Sequence, residues 1–500
     1  MYSERVLRLL TSRRFLFLQL LTLLVRGEER ARALARRELG RDGENPTDAS
    51  AAEGLLTSPG FLRKQLFTVM ARREGRARQR AAKYMLRALT CPPDQQQQLS
   101  SRHAIVDACN DGRPTLLMIS HNALGGTEKH VTELIRICRR RVNVLLLEPG
   151  FDPWVILSLP AEGTTSRLSF NSRTDLAGLV DLLRSCRVDR VHIHHLFRNE
   201  HYLRQLVSDL AVPFDFTVHD YYILSPQPHL TDRAGRFVGE NPAAAATELL
   251  AAGVSPTPPA SLEAWQAEWR WLATEASRVI VPSADAQRRI RAHIPGVRTI
   301  LAAHPEPAER VAPITASFER DGPLRIGLIG VISAHKGRDV LMTCARLLRD
   351  RREPLEFHVI GSVDRDLDRL RALGVTVTGP FTKNDLPRLC AEHRLSVLWY
   401  PSQCPETYSY TLSEGLELGL PLVTTDLGAL PERVEGRPWT WAMPWTTAPD
   451  EWIDFFLNIR RTRFSMEFPV EPVPPPNTRA DAFYDGAYTA WANLELEAGA

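Results

Sequence analysis

Five hundred residues, 44% of them hydrophobic and 24% charged, exceed what one core organises and carry too much apolar material for a disordered chain. The formal net charge of +3 is lopsided, because residues 1–90 hold 19 Lys and Arg against 9 Asp and Glu, leaving the remainder net acidic. Seven cysteines, odd in number and without a C-x-x-C pair, argue against a disulfide framework, offer no zinc site and fit a reducing, cytoplasmic compartment.

The basic first ninety residues read as a small helical module, broken at "DGENPTDAS" (42–50) and "TSPG" (57–60). Within it Phe15 to Val25 form an eleven-residue, mostly apolar run, well short of the about 20 residues that a membrane span needs. The following "RGEERARALARR" has no small-residue cleavage site, which argues against a secretory signal. Two readings stay open: a core helix with a solvated arginine face, or an interfacial helix flanked by Arg13, Arg14 and Arg26. The second would put the chain on the inner face of the cell membrane, or on a partner enzyme. Charge alone would permit nucleic acid, yet no aromatic interleaving or motif supports it. "CPPDQQQQLSS" (91–101) opens a linker, expected over 91–113.

From 114 the rhythm changes. "TLLMIS" (115–120), "VNVLLLE" (142–148), "RVHIHHL" (190–196), "FDFTVHD" (214–220) and "RVIVPS" (278–283) read as strands separated by amphipathic helices. The pattern resets at "PLRIGLIG" (323–330) and continues through "LEFHVIG" (355–361), "VTVTG" (375–379), "LSVLWYPS" (395–402) and "LPLVTTD" (420–426). Alternating strand and helix imply an α/β fold of two doubly wound domains, expected at 114–310 and 320–465, facing a shared cleft. A C-terminal segment, 466–500, would end in one helix over 483–497 that crosses back.

Three loops could hold a ligand. Gly125 and Gly126 follow the first strand and precede a helix, where glycine lets backbone approach a phosphate or sugar and the helix dipole favours an anion; a tight turn alone would also explain them. In "GLIGVISAHKGRDVL" Gly330 would end a strand and Lys336-Gly337 open a helix, with Lys336 either balancing a diphosphate or simply solvated. In "PETYSYTLSEGLELGLP" (405–421) two glutamates stand eight apart, so that Glu406 precedes a helix start and Glu414 lies within the helix. The amides between them suit an anion, which leaves the carboxylates for something else. His192 and His194 share one strand face, but without a carboxylate or cysteine at ligand spacing they read as satisfied core histidines, and no metal site is expected. His219 ends a strand at a cleft mouth, where it could bond a sugar or share in proton movement.

These features together resemble a retaining, nucleotide-sugar-dependent glycosyltransferase of the GT-B fold, similar to glycosyltransferase family 4. The resemblance rests on the Gly125-Gly126 loop, "HDYYILSPQPHLTDRAGRFVGE" (219–240), "GVISAHKGRDVL" (330–341) and "PETYSYTLSEGLELGLPLVTTDLGALPERV" (405–434), and covers about 114–500. It implies that Glu406 holds the donor sugar and Glu414 the ribose. Amides of Tyr410, Thr411 and Leu412, with Lys336, would hold the diphosphate; Gly126, beside Gly125, would lie against diphosphate or acceptor, and His219 would face the reacting sugar. Loops after Gly361 and Gly379, with Ser362 and Phe381, would line the base pocket. The implied partners are a nucleotide-sugar donor and a glycan or lipid-linked acceptor of surface polysaccharide synthesis, with no metal or other cofactor. Val331 departs from the family, whose members often carry arginine there; Arg338 or His335 could substitute, or Lys336 act alone. Ser225-Pro226 in "ILSPQ" is a second departure, since relatives commonly have cysteine-proline. The other readings are a catalytically silent GT-B scaffold recruited through the basic module, and a nucleotide-sugar epimerase.

Overall fold

The computed structural model describes residues 95–462 apart from 124, 151, 161–165, 256–258 and 308, together with 472, 482–492 and scattered positions between 12 and 65. The expectation of a basic helical module over 1–90 therefore lies almost wholly outside the described residues. No described helix is long and apolar enough to cross a membrane.

Two sheets with flanking helices form the expected doubly wound pair. The strands are β1 (Thr115–Ile119), β2 (Asn143–Pro149), β3 (Trp154–Leu159), β4 (Ser166–Asn171), β5 (Val188–Ile193), β6 (Phe214–Thr217), β7 (Arg278–Val281) and β8 (Thr299–Leu301) in the first. The second holds β9 (Leu324–Ile332), β10 (Leu355–Val363), β11 (Thr376–Val377), β12 (Val397–Tyr400), β13 (Leu422–Thr425) and β14 (Thr440–Met443). Their orders are β4-β3-β2-β1-β5-β6-β7-β8 and β11-β10-β9-β12-β13-β14. In each, sequence order reverses beside the first strand, at β1/β5 and at β9/β12, the kind of position where doubly wound sheets bind ligands.

Packing divides the chain into two compact units, Met1–Phe214 with Thr489–Ala500, and Asp215–Tyr488. The sequence rhythm changes near 310–320, whereas this cut falls at β6. The reason lies in the second unit, where the loops after β6 and β8 bond to loops of the second sheet, as described below.

In the first unit β1, β2 and β5 pair in parallel, and β3 and β4 add an antiparallel edge. Helices Gly126–Cys138, Leu176–Ser185 and Glu200–Leu210 bury residues at three- and four-residue spacing, as in Val131, Leu134 and Cys138. The linker expected over 91–113 is corrected: Gln95–Cys109 is a helix, with Ile105 and Cys109 buried. Glutamine is a good helix former, and two apolar residues four apart suffice to dock the segment.

In the second unit the six-stranded sheet is parallel throughout, and its inner strands are buried on both faces. Alternate residues sort accordingly. Ile326, Phe357, Val397 and Trp399 join one apolar cluster with Trp452 and Phe456 of helix Pro449–Thr462. Ile329, Ile360, Leu398 and Tyr400 join another with Leu412 and Leu416 of helix Tyr410–Leu418. The single helix expected over 483–497 is broken: Ala482–Asp485 is one turn, Ala487–Thr489 a 3-10 turn, and Gly486 separates them, the residue least suited to a helix interior besides proline. Residues 493–500 are outside the described residues.

Candidate functional site

The C-terminal ends of β9, β10 and β12 carry the candidate site within the second unit. Gly330 does not end its strand, as the sequence suggested, because β9 runs on to Ile332. Its register partner is Gly361, and a Cβ on Gly361 would lie 2.0 Å from the Gly330 carbonyl oxygen. A Cβ on Gly330 would stand 3.0 Å from Thr411 Cγ2, so two missing side chains bring the strands against the start of helix Tyr410–Leu418.

After β9 the chain makes a 3-10 turn, Ala334–Lys336, and enters helix Arg338–Arg351 through Gly337 at φ +86°. A Cβ on Gly337 would be 2.3 Å from the Pro401 carbonyl oxygen, which excludes any other residue without movement of that loop. Lys336 is half-buried and has no ion-pair partner among the described residues. The two substitutes for the arginine missing at Val331 are both engaged elsewhere in this structure. The Arg338 guanidinium is buried and already bound to Asp364 at 2.6 Å and Asp339 at 2.9 Å. His335 stacks on His229 with ring centroids 4.0 Å apart; burial, and then the neighbouring His229 and Lys336, push its pKa down to about 2, so it is neutral. Val331 itself is 56% exposed.

Glu406 lies in the loop between β12 and helix Tyr410–Leu418, and Glu414 lies inside the helix, as their spacing suggested. Ser402 Oγ stands 3.4 Å from Glu406 Oε1, and the Glu406 carbonyl accepts from Ala429 N at 2.8 Å. Gly428 fits beneath: a Cβ there would be 2.6 Å from the Glu406 nitrogen and oxygen. Cys404, two residues earlier, is buried, and burial pushes its thiol up to about 12. Glu414 is 5% exposed, and nearby Tyr400 donates to the Thr411 carbonyl at 2.9 Å.

The loop after β6 joins this assembly. Thr407 Oγ1 donates to the His219 carbonyl at 2.6 Å, and the half-buried His219 ring stands 4.8 Å from that of His304. His304 is buried; burial, and then Arg433, push its pKa down to about 3. The Tyr408 hydroxyl donates to Glu306 at 2.5 Å, with the His304 carbonyl 3.1 Å away. Ser409, at φ +81°, precedes the helix. Of the three amides assigned to a diphosphate, that of Leu412 donates to the Ser409 carbonyl at 3.2 Å, which leaves the role to the amides of Tyr410 and Thr411.

The remaining expected residues are dispersed. Ser362 pairs with Val331 in the β9–β10 register and is half-buried; Phe381, also half-buried, packs against the apolar cluster that includes Leu412 and Leu416 of helix Tyr410–Leu418. Gly125 and Gly126 belong to the first unit, where Gly125 precedes helix Gly126–Cys138 and a Cβ on it would meet nothing within 4 Å. His192, His194 and His195 are buried there, with the His192 and His194 rings 3.9 Å apart. Glu306, His304 and Arg433 escaped the sequence reading, because their partners lie 20 or more residues away.

Comparison with known proteins addresses the second sheet directly. Residues 323–458 match the family model described as Glycosyl transferases group 1. That segment of the second unit is similar to a group 1 glycosyltransferase domain. Sucrose-phosphate synthase from Thermosynechococcus elongatus superposes with a TM-score of 0.54 at 13% identity, over 78% of this chain and 100% of that one, and shows the GT-B fold. Anabaena HepE in complex with UDP and glucose aligns at TM-score 0.47 and 15% identity, over 76% and 95% of the two chains. The pneumococcal O-GlcNAc transferase GtfA in complex with UDP and GlcNAc aligns at 0.45 and 12%, over 77% and 97%. No curated protein matches the sequence.

Proposed function

We propose that this glycosyltransferase moves a sugar from a nucleotide-sugar donor to a glycan or lipid-linked acceptor, with retention of configuration and without a metal, in surface polysaccharide synthesis at the cytoplasmic side of the membrane. The observation that carries the reading is the placement of Glu406 before, and buried Glu414 within, the helix that starts beside Gly330, next to a lysine with no ion-pair partner among the described residues. The family-model match over the same segment supports it.

The roles follow from charge. The departing diphosphate gains negative charge in the transition state, so Lys336 and the amides of Tyr410 and Thr411 lower the barrier most. Glu414 would take the ribose hydroxyls and Glu406 the donor sugar. Retention would proceed by attack on the face the diphosphate leaves, with a donor phosphate oxygen accepting the acceptor's proton, so Glu406 acts by orientation rather than as a base. His219 would face the reacting sugar, with Ser362 and Phe381 near the base.

The test is calorimetry with a panel of nucleotide sugars, EDTA present throughout, on the wild type and Glu414→Ala. Binding of one donor, weakened by the mutation and indifferent to EDTA, is expected; a folded protein that binds none would overturn the reading. That outcome would favour a silent scaffold recruited by residues 1–90, for which exposed Val331 in place of a second cation is the motivating observation. Salt-sensitive binding of residues 1–90 to anionic vesicles is the matching test of membrane contact.

A further inference from the structure

We propose that Arg433 is a positioning residue for this site, a role that rests on the donor reading above: it fixes the two peptide planes on either side of Ser409 and so aims the helix-start amides. Ser409 sits at φ +81° and ψ 89°, a backbone region that a side chain resists and that persists only where the surroundings hold it. Arg433 adds to the helix bonds on the Ser409 carbonyl a hold that also reaches the Tyr408 carbonyl before it. Its Nη1 donates to the Tyr408 carbonyl at 3.0 Å and to the Ser409 carbonyl at 2.7 Å. Its Nη2 donates to Ser413 Oγ at 2.8 Å, with the Glu306 carboxylate 3.4 Å away, and its guanidinium carbon lies 3.9 Å from the Tyr408 ring centroid.

A trans peptide is planar, with C=O and N–H on opposite edges. Holding the Tyr408 carbonyl therefore directs the Ser409 N–H away from Arg433, and holding the Ser409 carbonyl directs the Tyr410 N–H the same way. The planar fork does this in one side chain, since it reaches two consecutive carbonyls and the first turn of the helix together. Glu306 completes the frame by accepting from Tyr408 and Ser413. Lysine at 433 would keep the charge but has a single ammonium to offer, so the fork's bond to the Tyr408 carbonyl would be lost and the Ser409 carbonyl would keep its helix bonds from Leu412 N at 3.2 Å and Ser413 N at 3.4 Å without the third.

The inference is tested with Arg433→Lys, alone and combined with Ser409→Gly, because glycine occupies positive φ without resistance and needs no clamp. Two readouts are needed. Amide hydrogen exchange of the full chain without ligand should rise by roughly tenfold or more in the 405–412 segment of Arg433→Lys while the rest of the second sheet is unchanged, and the double variant should recover most of it. Titration with UDP and with GDP should show about tenfold weaker binding of whichever diphosphate the wild type takes, again recovered by Ser409→Gly. Unchanged exchange in Arg433→Lys, a rise throughout the protein, or no recovery in the double variant would overturn the proposal. A wild type that binds neither diphosphate would instead count against the donor reading, with the exchange measurement still deciding the role of Arg433.

Discussion

Two helices of the second sheet begin in the same way and are secured differently. Helix Arg338–Arg351 follows a left-handed Gly337 at φ +86°, and helix Tyr410–Leu418 follows a left-handed Ser409 at φ +81°. The first turn needs no outside support, because glycine accepts that conformation and its missing side chain lets the Pro401 carbonyl close over it. The second carries a side chain where the backbone disfavours one and is held by groups from elsewhere in the chain, Arg433 above all. A turn closed by glycine is self-sufficient, whereas a turn closed by a clamp depends on everything that positions the clamp.

The largest effect should come from the charge on the glycine-closed turn. Lys336→Met is expected to lower the transfer rate by about 10²–10³, measured as kcat/KM with the donor found in the binding panel, while the unfolding midpoint stays put. The backbone of the same turn comes next: Gly337→Ala should destabilise by about 1–3 kcal/mol from strain alone, with the contact to Pro401 adding to it, as read by urea unfolding.

Acid should then probe both turns, since each has beside it a histidine whose pKa is pushed down, His304 buried and His335 half-buried. His304 and His335 have folded pKa values pushed down to about 3 and about 2 by burial, so below about 6.5 the unfolded chain binds protons that the folded one does not. Their contribution is complete above pH 6.5 and declines as pH falls towards 3, by at most about 1.4 kcal/mol per unit for each. The stability of His304→Gln measured between pH 6.5 and 4 should fall less steeply than that of the wild type. The smallest effect sharpens the comparison most: Ser409→Gly in the wild-type background should change stability by no more than about 1 kcal/mol, because relief of strain is offset by the entropy of a new glycine.

Most strands were readable because their short apolar runs are flanked by turns, although the edge strands β8 and β14 escaped, and the bracket formed by Glu406 and Glu414 followed from helical spacing. Other features depend on distant partners. "WVILSL" and "SRLSFN" became an antiparallel edge by pairing with each other, which no local pattern announces. The glutamine run looked like a linker because its polarity was visible and the surface that Ile105 docks on was not. Arg338 looked available as a cation until Asp364, 26 residues on, was found bound to it. Ser409 gives no sign in sequence that its φ is positive, and Arg433 none that it answers for it.

The burial of Cys404 turns the Glu406 loop into a clock. All six described cysteines are buried, and the Cys404 thiol, held near pH 12 by its surroundings, reacts with an alkylating reagent only when the loop swings open. The rate at which that sulfur is labelled therefore counts openings of the segment that carries Glu406, and a bound nucleotide sugar would slow the count.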